Sequence, residues 1–506
     1  MELARQSTFI ILSRMIDGIL AYTSLFFITK YMDPGSYGIV MFAMSFVSIF
    51  FFICIFGLHS AHIKRVHEDR LADRCNGTFI SLKLISTMIF VGVVFLALFV
   101  WQFILKNGFE TPTHLFAIYL MIGYFISRSI GDIFTTIFKA KREIACSQSS
   151  LIIATTIRTI AIFYVAKMNY GALPLAMTYI FGEIGYISLS ILLFKIRKHK
   201  ISKPTKEYIV DYAVFAWPLA IAPFAGTILQ NSDKIFIQLF YTASDVGYYA
   251  AGYRITTFLI MLIGSIGMLF FPVFSKLYEQ KKHGEIKQTA RTAERYISML
   301  IFPSVFGLAI LAEPTAHIFL NQWNETIPIL QTLPFYALFL ALTQPYVSQF
   351  AAMNKPRLAR NRVFLMAGAN IILNLFLIPK DIQSIGLQGA GLGAVGAVIA
   401  TIVAYAIGLL YTRVMIFKTT GQTGYGRVII HFICAALMGG IILNVAYYLI
   451  IDRWYHLALT ATIGAGSYFL LLALFKEFTK KDWHFFMDTL NIKKMGKYIK
   501  DELTGK

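Results

Sequence analysis

The side chains best placed to do chemistry in this chain are ionisable groups set inside long apolar segments: Arg14, Asp17, Arg128, Asp132, Arg158, Glu183 and Arg254. In a bilayer such a group is costly unless it meets a partner or water, so each is a functional candidate. Arginine suits phosphate oxygens, because its planar fork donates to two of them at once and its charge is permanent. The arginines therefore point to an anionic, phosphate-bearing ligand bound at Arg14, Arg128, Arg158 and Arg254. A structural reading stands beside each. Asp17 is three residues after Arg14 and Asp132 four after Arg128, spacings that share a helix face and let each pair neutralise itself. Glu183 equally suits a cross-helix partner of Arg158 or a carrier of a proton or cation. Arg158 has no acidic neighbour three or four residues away, which favours a ligand-facing role. Asp233 and Lys234 fall at the outer end of an apolar run, where a solvated structural pair is expected.

The elements that must position these groups are membrane helices. With 57% hydrophobic and 14% charged residues, the 506-residue chain has too little polar surface for water. About 20 mostly apolar residues cross a bilayer. Fourteen such stretches occur, near 7–29, 38–60, 78–104, 115–138, 147–166, 172–194, 211–232, 248–275, 293–312, 326–352, 361–379, 387–412, 428–450 and 456–475. With the N-terminus in the cytoplasm, 26 Lys and Arg fall in inner loops and eight more in the tail, against six outside. Positive charge on the inner side sets orientation, so both termini are expected inside an all-α, multi-pass protein of the cytoplasmic membrane. The net charge of +20 is then topological, its counterions are membrane lipids, and its scatter over many loops speaks against nucleic acid. The first apolar stretch is full length and contains Arg14 and Asp17, so it is expected to be retained as a span and not cleaved as a leader. Cys54, Cys75, Cys146 and Cys434 suggest free thiols.

At a rise of about 1.5 Å per residue, Arg128, Arg158 and Glu183 lie near the bilayer midplane, Arg14 toward the cytoplasm and Arg254 toward the outside. An internal repeat organises the spans. The stretch Phe27 to Gly38 and the stretch Phe236 to Gly247 align at an offset of 209 residues, each reading as a helix end, a turn and a glycine opening the next helix. A weaker match at offset 213 sets the region of Lys141 beside that of Asn354. Two parallel six-helix lobes follow, 1–194 and 211–412, joined by a basic linker 195–210. Helices 13 and 14 (413–475) and a basic amphipathic tail (476–506) are appended. Parallel repeats of this kind place a substrate site between the lobes. The glycines 386, 389, 391, 393 and 396 suggest close helix packing, and Asn324 opens an outer sequon. No nucleotide-binding loop, metal-ligand spacing or nucleophile motif occurs, so the chain reads as a transporter with neither its own ATPase nor a cofactor, not as an enzyme.

Arg14 on helix 1, the stretch Ser232-Asp233-Lys234-Ile235-Phe236-Ile237, the following Asp245-Val246-Gly247-Tyr248-Tyr249-Ala250, and Asn374-Leu375-Phe376-Leu377-Ile378-Pro379 before a Gly-rich helix resemble the polysaccharide-biosynthesis flippases. These are the O-antigen (Wzx-type) and teichuronic-acid exporters of the multidrug/oligosaccharidyl-lipid/polysaccharide superfamily. The resemblance implies translocation of a polyprenyl-diphosphate-linked oligosaccharide by alternating access, with Arg14 and Arg254 near a lateral gap, an ion gradient or potential as energy source, and Asp17, Asp132 or Glu183 as the candidates for ion coupling. Polysaccharide polymerase and glycosyltransferases of the same pathway are expected partners. A lipid II flippase and a multidrug cation exporter of the same superfamily are the alternatives; the arginines disfavour the second, and the basic inner loops disfavour a membrane glycosyltransferase.

Overall fold

The computed structural model describes residues 2–483 apart from 69–70, 105–107, 322, 383–385 and 481. The chain is helical almost throughout, and it divides into two compact units, Glu2–Ala250 and the residues from Ala251 onward. The first contains α1 (Glu2–Tyr31), α2 (Pro34–Phe50), α3 (Phe52–Ile55), α4 (Leu58–His67), α5 (Ala72–Phe99, continued by a π-helical turn to Ile104), α6 (Pro112–Ala140), α7 (Ile144–Lys167), α8 (Ala172–Ile196) and α9 (Lys206–Phe240). Helix α10 (Ala243–Glu279) runs through the division. The second unit holds α11 (His283–Ile310), α12 (Ala312–Phe319), α13 (Ile327–Thr332), α14 (Pro334–Ala352), α15 (Pro356–Leu377), α16 (Gly393–Thr420), α17 (Val428–Tyr448) and α18 (Trp454–Leu474). Division by packing thus falls after α9, later in the chain than the basic linker 195–210 that separates the sequence lobes.

Among the described residues nine helices are long and apolar enough to cross a membrane, or ten when the bent pair Pro34–Phe50 and Phe52–His67 counts as one span. Helices α1, α9, α10 and α15 cover the other predicted segments. The second predicted span is therefore broken. Its two halves meet at 43° across Phe51, and a second interruption follows where Phe56 (φ 29°) and Gly57 (φ 70°) adopt positive φ, a conformation glycine takes at no steric cost. Asp381–Ile382 and Leu387–Gln388 form a two-residue antiparallel ladder, a small departure from an all-α chain. Of the expected amphipathic tail, residues 484–506 lie outside the described residues.

Large apolar side chains such as Met88, Phe103, Ile160, Leu443 and Leu470 are exposed along these helices, a surface that calls for lipid. In lipid, hydrophobic transfer no longer separates core from surface, so cohesion rests on close packing and polar contacts. Leu58, Phe79, Ile133 and Phe138 form a packed core in the first unit, and Ile297, Phe302, Met438 and Tyr468 one in the second. Small residues set the closest approaches. A Cβ on Gly131 would lie 2.2 Å from the Tyr186 ring, one on Gly389 2.3 Å from the Pro379 carbonyl oxygen, and one on Gly396 2.6 Å from that of Leu377. Gly396, set against the last residue of α15, bears out the close helix packing expected of the glycine cluster around the start of α16.

The two copies of the repeated turn meet each other. A Cβ on Gly38 would lie 1.7 Å from the Ala243 carbonyl oxygen, and a Cβ on Gly247 would lie 2.1 Å from that of Pro34. Asp33 caps α2 by accepting from the Ser36 amide (2.7 Å), and Asp245 accepts from the Thr242 amide (3.1 Å) beside the start of α10. Glu110 holds the same junction by accepting from the Ala243 amide (2.9 Å) and from Gln238 Nε2 (3.2 Å).

Candidate functional site

The polar groups of the first unit gather where α4, α5, α6, α7 and α8 pack. Arg128 on α6 is the hub. Its Nε lies 3.5 Å from Asp132 Oδ1, one turn along as the spacing predicts, and its Nη1 lies 3.3 Å from Glu183 Oε1 on α8. Its guanidinium also stands 4.9 Å over the Tyr186 ring. The Tyr186 hydroxyl donates to Asp132 (3.1 Å) and is 2.8 Å from the Thr135 hydroxyl. The Gly131 approach to that ring is therefore what lets α8 lay an aromatic face under the arginine. Glu183 is buried, and its Oε2 has no partner among the described residues.

A second knot adjoins the first. Lys83 on α5 is fully buried; its Nζ donates to the Cys54 carbonyl (2.8 Å) and lies 3.1 Å from His59 Nε2. Thr87, one turn beyond Lys83, bonds to Ser129 on α6 at 2.7 Å and ties the two knots together. A third contact anchors α1, where Thr155 on α7 donates to Asp17 at 2.6 Å and Ser24 and Thr159 hydroxyls meet at 3.0 Å.

Arg158, one turn further along α7 than Thr155, is half-buried, and its guanidinium stands 5.4 Å over the Tyr179 ring. Among the described residues no carboxylate reaches it within ion-pair distance. Glu183, weighed as its partner from sequence, pairs with Arg128 instead, because α8 turns that carboxylate toward α6. Arg14 is exposed on α1. Arg254 belongs to the second unit and is exposed on α10. The structure thus joins Arg128, Asp132 and Glu183, leaves Arg158 open nearby, and keeps Arg254 in a different unit.

Several groups depart from the sequence reading. Asp233 and Lys234 are buried, not solvated: Asp233 accepts from the Tyr249 hydroxyl, and Lys234 donates to the Gln230 carbonyl at 3.0 Å. Arg362, counted with the inner loops, is buried on α15 and donates to Thr343 at 3.2 Å. Arg413, also counted there, pairs with the buried Glu294 of α11, which accepts as well from the Tyr346 hydroxyl and the Tyr425 amide. Lys83 and His59 escaped the sequence reading because neither has a charged partner at helical spacing; the lone lysine inside an apolar span was the available signal.

Comparison with known proteins agrees with this architecture. The chain is 19% identical over 408 residues to the probable low-salt glycan biosynthesis flippase Agl15 of Haloferax volcanii, covering 80% of this chain and 82% of that one. It is 22% identical over 264 residues to the lipopolysaccharide biosynthesis protein WzxC of Escherichia coli K12, covering 51% of each. Among solved structures, the lipid II flippase MurJ in an inward closed conformation superposes with a TM-score of 0.74 at 17% identity, over 92% of this chain and 98% of that one. That likeness shows that the two chains share a fold. Residues 3–278 match the polysaccharide biosynthesis protein family, and this multi-pass membrane protein belongs to it.

Proposed function

We propose that the protein translocates a polyprenyl-diphosphate-linked oligosaccharide across the cytoplasmic membrane by alternating access, through fourteen spans with both termini in the cytoplasm. Family membership supports a lipid-linked glycan as cargo. The observation that carries the reading furthest is Arg158, a half-buried guanidinium with no carboxylate within ion-pair distance among the described residues. A diphosphate is the complementary group, since it takes the fork bidentately in a medium of low dielectric. Arg14, Arg128 and Arg254 are the further basic groups assigned to the substrate path. Asp17, Asp132 and Glu183 are assigned to coupling with an ion gradient or the membrane potential. Of these, Glu183, whose Oε2 has no partner among the described residues, is the best placed to take a proton or cation. Polymerase and glycosyltransferases that use the flipped lipid are the proposed partners.

The test is leaflet exposure of a labelled polyprenyl-diphosphate oligosaccharide in proteoliposomes under an imposed gradient or potential. Flipping by wild type, lost in Arg158→Ala with folding intact, is the expected result. The likeness to MurJ makes labelled lipid II the second substrate to run, and preference for it reassigns the cargo. Export of an organic cation with no lipid movement would replace the flippase reading by the drug-exporter branch.

A further inference from the structure

A basic cavity in the second unit has no part in the proposed substrate path. About 810 Å³ in volume, it lies between the first turns of α11 and the loop 421–427 that precedes α17. Lys287, Gln288, Arg291 and Arg295 reach it from one face of α11, at the three- and four-residue spacings that stack side chains along a helix. Arg427 and the backbone of Thr423 to Gly426 form the opposite wall, and among the described residues no carboxylate lines it.

The cavity is built, not incidental. Glu294 accepts from the Tyr425 amide at 2.8 Å, and Arg291 donates to the Thr423 hydroxyl at 2.6 Å, so the loop is fixed onto α11 from two sides. A Cβ on Gly424 would lie 2.3 Å from the Arg413 guanidinium, so a side chain there would close the wall against its own support. Arg295 and Arg427 are held from behind by Asp482 and Glu477, at 2.7 and 2.9 Å. Lys287 and Arg291 have no carboxylate within ion-pair distance among the described residues. Four cations against two carboxylates leave an excess of two positive charges on a preformed wall of backbone and guanidinium donors.

The chemistry complementary to that wall is a phosphate, and the cavity's depth says what carries it. Arg427 directly precedes Val428, the first residue of the apolar helix α17, and Arg295 directly precedes the apolar stretch of α11. The basic groups therefore stand at the level where apolar helix begins and where lipid phosphates lie, beside the exposed Ile429. We propose that this cavity binds the phosphate-bearing headgroup of a bilayer lipid. Such a headgroup bridges α11 to the loop before α17 and so fixes the α17–α18 pair to the rest of its unit.

The test is titration of the full-length protein in detergent with short-chain phosphatidic acid, short-chain phosphatidylcholine and inorganic pyrophosphate. Phosphatidic acid is expected to bind ~10-fold or more tightly than phosphatidylcholine, and Lys287→Gln with Arg291→Gln to remove that preference. Lys287→Arg with Arg291→Lys and the distant Arg357→Gln are expected to retain it. Equal binding of both lipids, or a preference that survives the glutamine variant, overturns the proposal. Pyrophosphate that binds as tightly as phosphatidic acid overturns the lipid assignment in favour of a soluble anion. Should the glutamine variant not fold, salt decides with wild type alone: binding of phosphatidic acid must weaken as ionic strength rises, and unchanged binding overturns the proposal.

Discussion

Arg128 and Arg158 sit on neighbouring helices with the same charge and opposite obligations. Arg128 neutralises two carboxylates, so Arg128→Ala leaves Asp132 and the buried Glu183 unpaired. Removing one partner of a buried pair costs about 3–5 kcal/mol. Arg128→Ala is therefore expected to lower the unfolding midpoint in detergent markedly, and Arg128→Ala with Glu183→Gln to recover part of the loss. Arg158→Ala breaks no ion pair among the described residues, and is expected to leave that midpoint nearly unchanged while slowing lipid flipping ~10-fold or more. Equal destabilisation by both substitutions would sink the distinction. Lys83→Met is a sharper probe of the second knot. A well-packed apolar replacement of a buried charge is often neutral or stabilising, so a stable variant that no longer transports assigns Lys83 to function. How much of this was legible follows from geometry. Arg128 and Asp132 share one helix face, and their spacing gives the pair away. The partner of Glu183 depends on how α8 rotates against α6 and α7, which no local pattern fixes.

Helix breaks and helix contacts are the element-scale counterpart. Spans were readable from hydropathy, yet the bend at Phe51 and the positive-φ step at Phe56–Gly57 hide inside a continuous apolar run and are features of backbone conformation. The glycine cluster before α16 did announce close packing; Gly38 and Gly247 announced only helix starts. Because their missing Cβ atoms would strike backbone, which cannot swing away, Gly38→Ala and Gly247→Ala are each expected to destabilise by about 1–3 kcal/mol or more. The double variant is expected to cost less than the sum, since both press on one contact; thermal unfolding of the three variants checks this. After α18, the segment that carries Glu477 and Asp482 is docked by charge. Burial alone would raise the Glu477 and Asp482 carboxyls, but hydrogen bonds from Tyr425 and Arg427 to the first, and from Arg295 and Thr479 to the second, hold both below the usual carboxylate range. Burial and Glu477 together push the Tyr425 hydroxyl up to about 12. Groups with lowered pKa stabilise above their unfolded value and lose that contribution as pH falls through the folded one. The segment is therefore expected to stay docked from neutral pH to about 4 and to release below it, read as a change in emission that Trp483→Phe abolishes.

For the whole molecule, the charge pattern was the most informative feature and its consequence is directly measurable. A reporter fused after Lys506 is expected to be active only on the cytoplasmic side, as 34 inner against six outer basic residues require. Activity on the outer side would remove an odd number of spans from the proposed fourteen. The compact units were less legible, because a chain can repeat in one place and part in another: the repeat pairs α2 with α10, whereas packing keeps the start of α10 with the first unit. That placement sets the duplicated turns face to face, with Gly38 against Ala243 and Gly247 against Pro34. Residue i meets j + 209 while i + 209 meets j, which is the rule of an isologous interface, the kind a two-fold dimer of identical subunits makes. In such a dimer one glycine would serve both sides and could not change on one alone. Joined in a single chain, the two positions are separate letters, and each copy is free to drift until it meets the backbone of the other.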